Sequence, residues 1–291
     1  MRLTTGEDAM AVAELAGEFR VPRNAFQQAQ GSIHNDAVAS KLGFKGGTVP
    51  GSVHMDQFVP MLLELYGERW FERGDMSLHF TQATVDAEKV RAVVQPGEGR
   101  ARLSMFNEAG AKICEGTASQ SAPDSLSELA RRLPMQTPAE PGRLRMLAEY
   151  AVGDEVFDIP LRVEVADLQD ALERITEPHR LYADEHVLPP SHLVRLAHGA
   201  RSKVLAGVGP SVGLFGSLEV RQYRGPLRAG VDYVGRTKVL RLTESPKAEN
   251  VWYDVVIADP ASGEDVGCVQ FVIRLMKASS ALWADGVRGQ A

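Results

Sequence analysis

"VHMDQFVPMLLELY", residues 53–66, puts apolar side chains on nearly every side of a helical projection. A helix with that distribution has no wet face, so it is expected at the centre of a structure that encloses it. Pro60 has no N–H to give the carbonyl of Asp56, which predicts a kink or a broken turn inside the segment. Upstream, "IHNDAVASKLGFKGGTVPGSVHM" (33–55) sets His34 and Asp36 ahead of the Val-Pro-Gly turn that opens this helix. Downstream, "MSLHFTQATV" (76–85), "EKVRAVVQPGEGRARLSMF" (88–106) and "NEAGAKICEGTASQ" (107–120) are β-rich runs joined by turn residues. One buried helix followed by an antiparallel sheet long enough to wrap it is the expected unit.

The unit occurs twice. Ser77, Leu78 and Gln82 map onto Ser217, Leu218 and Gln222 of "GSLEVRQYRG" (216–225) at an offset of 140. "VPGSVHM" (49–55) and "LPPSHLV" (188–194) align Pro50 with Pro189 and Ser52 with Ser191 at an offset of 139. The second half continues with "DYVGRTKVLRL", "NVWYDVVIADPASGE" and "DVGCVQFVIRLM", so the element order repeats as well. A near-constant offset with the same element order points to duplication. Between the copies, residues 121–147 carry Pro123, Pro134, Pro138 and Pro141 and read as a linker. Within it, "SLSE" (Ser125 to Glu128) reads as a capping box opening a short helix that stops at Pro134. The expected organisation is an N-terminal domain over 1–122, a Pro-rich linker over 123–148 and a C-terminal domain over 149–291.

Composition narrows the function. The chain has 291 residues, 44% hydrophobic and 24% charged, with a net charge of −6 and no block of Lys or Arg. Phosphate binding needs a basic surface, so nucleic acid is not the expected partner. The two cysteines, Cys114 and Cys268, are too few for a disulfide framework or a zinc site and are expected as small buried hydrophobes. No metal is expected. The sequence shows neither a basic-then-apolar signal pattern nor a run of 18 apolar residues, which leads to the expectation of a cytoplasmic protein with no membrane partner.

The helix wrapped by a curled sheet, duplicated, resembles a double hot-dog, an α+β fold. The local sequence is similar to that of the MaoC-like (R)-specific enoyl-CoA hydratase/dehydratase family. Its motif, Asp-x-Asn-Pro-x-His-x-Asp followed by Gly-Phe and then Val-His-Gly, is matched by His34, Asp36, Gly43, Phe44, Val49 and Gly51. In the second half Val152-Gly153-Asp154 followed by Ala166-Asp167-Leu168 resembles the start of a further domain of the family. The departures are Ala29 at the place of the family's catalytic aspartate, Gly31-Ser32 for Asn-Pro, and Pro50 for the histidine of Val-His-Gly. Glu177-Pro178-His179 echoes the motif with the wrong spacing, and Pro190 has no N–H to donate.

The resemblance implies a lyase adding or removing water at an enoyl or 3-hydroxyacyl thioester, with no resident cofactor. CoA or a carrier protein would enter as part of the substrate. Such chemistry needs a donor for the thioester oxygen and groups that move protons. Gly51, with Ser52 beside it, is the candidate oxyanion donor, because amides at a helix N-terminus are unpaired and the dipole favours negative charge. Gly51 has no Cβ to hold a substrate off the backbone. His34 is the natural acid/base, since imidazole titrates near neutral pH. Asp36 reads as the N-cap of "AVASKL" or as a helper orienting His34. His54, near the mouth of the helix, is the candidate for the proton-transfer role that Ala29 leaves vacant. Asp56 and Glu64 would be the bases of an alternative acyl-thioester hydrolase, and Asp56 reads equally as a solvent-facing residue. A catalytically decayed acyl-binding protein is the remaining alternative. Two hot-dogs already form a pseudo-dimer, and free sheet edges leave room for a homodimer.

Overall fold

The computed structural model describes residues 13–284. Ten strands form one sheet: β1 (Leu15–Ala16), β2 (Asp75–Phe80), β3 (Val90–Gln95), β4 (Ala101–Asn107), β5 (Lys112–Ser119), β6 (Glu155–Leu161), β7 (Gly213–Gln222), β8 (Tyr233–Glu244), β9 (Ala248–Ala258) and β10 (Asp265–Met276). Their order is β1-β3-β4-β5-β2-β7-β10-β9-β8-β6, and every neighbouring pair is antiparallel. The helices are α1 (Asp36–Lys41), α2 (Gly51–Asp56), α3 (Val59–Tyr66), α4 (Trp70–Arg73), α5 (Glu128–Arg132), α6 (Val165–Leu172), α7 (Arg180–Asp184), α8 (Pro190–His198) and α9 (Arg201–Val204).

The two halves meet where β2 pairs with β7. Leu78 lies opposite Leu218, so the two residues that the sequence repeat equates are each other's cross-strand partners. A pseudo-two-fold axis therefore passes through that pair. Pro50 and Pro189, also equated by the repeat, are the N-caps of α2 and α8. Proline suits the start of a helix because its fixed φ fits there and the missing N–H would have no partner. The chain unwinds at Gln57–Phe58 and resumes as α3 with Pro60 near its start, the break that this proline requires.

The core forms between the concave face of the sheet and these helices. Met55, Phe58 and Leu62 pack with Met76, Leu78, Leu103 and Met105 from the first half, and Leu193, Val194 and Leu196 with Val239, Tyr253 and Phe271 from the second. Both cysteines are free and buried, and burial pushes both thiols well above their ordinary range. The convex face is covered by the linker. Leu129 of α5 packs on Trp252 and Val272, and its amide donates to Ser77 Oγ at 3.0 Å.

Helix α5 starts later than the sequence suggests. Its cap is Ser127, whose Oγ accepts the Ala130 amide at 3.1 Å and donates to Glu219 at 2.7 Å, while Asp124 turns the preceding segment by accepting the Leu126 amide. The buried carboxylate of Glu219 fixes the register, which the local Ser-x-x-Glu pattern does not contain. Beneath α5, Arg221 bonds Glu219 and Gln270, and Asp75 lies buried beside them. Burial and the charge of Glu219 raise the Asp75 carboxyl well above its usual range.

Candidate active site at the start of the first central helix

The segment before α2 folds back on itself. Asn24 Nδ2 donates to the His34 carbonyl at 2.7 Å, and Asp36 Oδ1 accepts the Gly47 amide at 2.7 Å. Gly47 passes so close to His34 that a Cβ there would lie 2.2 Å from its carbonyl oxygen, and only glycine permits that crossing. The cap of α1 is Asn35, whose Oδ1 accepts from the Ala37 and Val38 amides; Asp36 is the first helical residue. This corrects the expectation that Asp36 caps the helix. Its carboxylate is instead occupied in tying down the 43–48 loop, and the structure does not place it on the His34 ring.

That loop sets the imidazole. His34 Nδ1 is 2.7 Å from the Thr48 carbonyl, which can only accept, so Nδ1 carries the proton and Nε2 the lone pair. Nε2 has no partner among the described residues and is not enclosed. Burial lowers the His34 pKa below the ordinary 6.5, and the Thr48 bond opposes part of that shift. The ring is therefore neutral at pH 7, in the form that accepts a proton. Phe26 flanks it at 5.8 Å between centroids.

Thr48 stands three residues before Gly51, so the same loop delivers the helix N-terminus. No side chain caps α2, and among the described residues neither the Gly51 nor the Ser52 amide has an acceptor. Phe80, the last residue of β2, covers Gly51, and a Cβ at Gly51 would come within 2.8 Å of its ring. The space left by the missing Cβ of Gly51 is thus filled by the Phe80 ring and not held open for a substrate, which corrects the expectation of an open approach there. The sequence offers no motif for Phe80.

His54 lies elsewhere. It is 2% exposed, its Nε2 is 2.8 Å from Thr84 Oγ1, and its Nδ1 is enclosed with no partner. Burial lowers its pKa to about 4. Neither nitrogen is open to a water, so the structure makes His54 an interior anchor of α2 on the β2–β3 connection.

The far end of the helix pair is built differently. Asp56 is 3% exposed, not solvent-facing as its sequence context allowed, and its Oδ1 accepts the Ser191 amide of α8 at 2.8 Å. Burial raises its pKa to about 7 despite that bond. Tyr182 is buried nearby, with its hydroxyl unpartnered among the described residues. His179 caps α7 by accepting the Leu181 amide at 3.3 Å, and Glu177 pairs with Arg20. The second half thus has no open amide at its central helix. Among the described residues no His/Cys/Asp/Glu cluster suits a metal ion, and no helix is long and apolar enough to cross a membrane.

No protein-family model matches the sequence, and no curated protein is similar to it. Solved structures are similar in fold. A Chloroflexus aurantiacus protein described as a MaoC-domain dehydratase aligns with a TM-score of 0.59 at 11% identity, covering 91% of this chain and 94% of its own. A conserved hypothetical protein from Mycobacterium tuberculosis, described as having a double hot-dog fold, aligns at 0.59 with 10% identity over 91% and 97% of the two chains. A MaoC-like dehydratase aligns at 0.53 with 14% identity over 90% and 97%. The protein is a double hot-dog. The fold expected from the resemblance to MaoC-like proteins is the fold present.

Proposed function

We propose that this protein is a hydratase/dehydratase acting on an enoyl or 3-hydroxyacyl thioester, with His34 as the proton-transfer group and the Gly51 amide, with that of Ser52, as the oxyanion donor. The reading is carried by one observation: the Thr48 carbonyl fixes the tautomer of His34, beside a helix start whose first amides have no acceptor among the described residues. In hydration, Nε2 takes a proton from water as the oxygen bonds to the β-carbon. The double-bond electrons move toward the thioester, charge collects on the carbonyl oxygen near the amides, and the imidazolium returns the proton to the α-carbon. CoA or a carrier protein supplies the thioester.

Hydrolysis of an acyl thioester is the second reading, favoured by a carboxylate on the central helix, Asp56, that titrates near neutrality. Purified protein incubated with crotonyl-CoA and longer enoyl-CoAs separates the readings. Loss of the enone absorbance without free thiol is the expected result. Release of thiol favours hydrolysis, and silence on both signals with measurable binding favours an acyl-binding protein.

A further inference from the structure

Ala29 leaves the first half with a single proton-transfer group, and the structure brings a second imidazole from the other half. Helices α2 and α8 cross on the pseudo-two-fold axis. The crossing that takes Asp56 to the Ser191 amide at one end carries the last turn of α8 toward the start of α2 at the other. The final residue of α8 is His198. Phe215, on which its ring packs, follows Leu214, which packs on the cluster of Ile33 and Ala39 around His34, and a charge on His34 opposes protonation of His198.

His198 sits edge-on to Phe215 at 5.7 Å and tilted over Phe271 at 6.0 Å, so its plane is fixed by aromatic packing. Among the described residues neither of its ring nitrogens has a hydrogen-bond partner, and neither is closed off. Of the other half-buried or buried histidines, His54 bonds Thr84, His79 bonds Ser217, His192 bonds Ser191 and His179 caps α7, each through one nitrogen, and His186 has an enclosed Nδ1 with no partner among the described residues. His198 is set apart by its place at the end of the helix that crosses α2.

We propose that His198 is a second catalytic residue of the His34 site, holding the water that adds to the β-carbon while His34 moves its proton. This rests on the hydratase reading above. Of the two hydrogens on the attacking water, one goes to His34 Nε2 and the other is accepted by a nitrogen of His198, which keeps the oxygen lone pair aimed at the β-carbon. The proton on His34 then passes to the α-carbon. One H and one OH are added, both imidazoles end neutral, and no other reactant is consumed. Burial and the cation of Arg201, together with any charge on His34, keep His198 neutral at physiological pH with a pKa of about 4, the form this role requires.

The test is steady-state hydration of crotonyl-CoA by wild type, His198→Leu and His198→Gln, with imidazole NMR titrations of wild type and His34→Gln. Loss of the water-orienting acceptor is expected to lower kcat by about 10²-fold in His198→Leu, with KM little changed. His198→Gln, which keeps an acceptor, is expected to recover part of the loss. In the titration, removing His34 is expected to move the His198 midpoint upward, because a neighbouring positive charge is gone. A His198→Leu enzyme with wild-type kcat overturns the catalytic role. A His198 midpoint indifferent to His34→Gln overturns the pairing. A wild type inert toward enoyl thioesters, with the His198 midpoint still moving, refutes the hydratase reading and the catalytic role with it, and leaves only the paired imidazoles.

Discussion

At the start of α2 the Gly51 and Ser52 amides face no acceptor among the described residues, whereas at the start of α8 the Ser191 amide, the first that can donate after Pro189-Pro190, is taken by Asp56. The two sites are related by the same two-fold that pairs Leu78 with Leu218, and the repeat equates their capping prolines. Fold and sheet register have been kept while the polar groups have diverged. One helix start retains open donors beside a tautomer-fixed histidine. The other has become an internal joint, closed by a carboxylate of the opposite half. A duplicated hot-dog needs only one chemical end, and the second is then free to hold the halves together.

Substitutions at the two ends are expected to differ in kind. His34→Ala should lower turnover by roughly 10²–10⁴-fold with an unchanged circular-dichroism spectrum, since general acid–base groups contribute on that scale. At the closed end the effect should fall on stability. Asp56 titrates at about 7 in the fold against 3.8 for an ordinary aspartate, so between these values the native state holds a proton that the unfolded chain has released. Its contribution to stability is therefore lost as pH rises through that window. Asp56→Asn keeps an acceptor for Ser191 without the buried charge. Chemical denaturation at pH 8 should find it more stable than wild type by about 2–4 kcal/mol, at roughly 1.4 kcal/mol per pKa unit, with the difference vanishing toward pH 4. Asp75 and Asp254 are also raised, so the difference between the two proteins, and not the wild-type slope, is the quantity to read.

Two smaller effects sharpen the contrast. Gly51→Ala forces a methyl against Phe80 and should cost about 1–3 kcal/mol as overpacking. Adding Phe80→Ala should restore part of that loss in a double-mutant cycle. Ser191→Ala leaves the amide that Asp56 accepts and should change stability by less than about 0.5 kcal/mol. A large loss there would mean that the hydroxyl, and not the backbone, closes that end.

The fold was legible because its determinants are local or repetitive. A helix apolar all round, Pro60 within it and five identities at offsets of 139 and 140 need no knowledge of long-range contacts. The site was legible only in part. His34 and Gly51 lie on one short stretch of chain that α1 folds back on itself, so the order of the residues already carries their proximity. Phe80 reaches that place through strand pairing and His198 is proposed to do so through helix crossing, from 29 and 147 residues beyond Gly51, and no spacing rule connects them. Asp36 and Asn35 show the finest limit. Either side chain suits a cap, and the choice falls to Asn35 because the Gly47 amide claims the Asp36 carboxylate. Asp56, polar at the end of an apolar helix, reads as exposed until α8 is laid against it.

The pH dependence of kcat/KM for enoyl-CoA hydration tests the account most directly, because the two ends titrate differently. Chemistry at His34 predicts a rate that falls on acidification with a midpoint below 6.5 and a profile unchanged in Asp56→Asn. A midpoint near 7 that shifts or disappears in Asp56→Asn would place the reaction at the other end of the helix pair and contradict it.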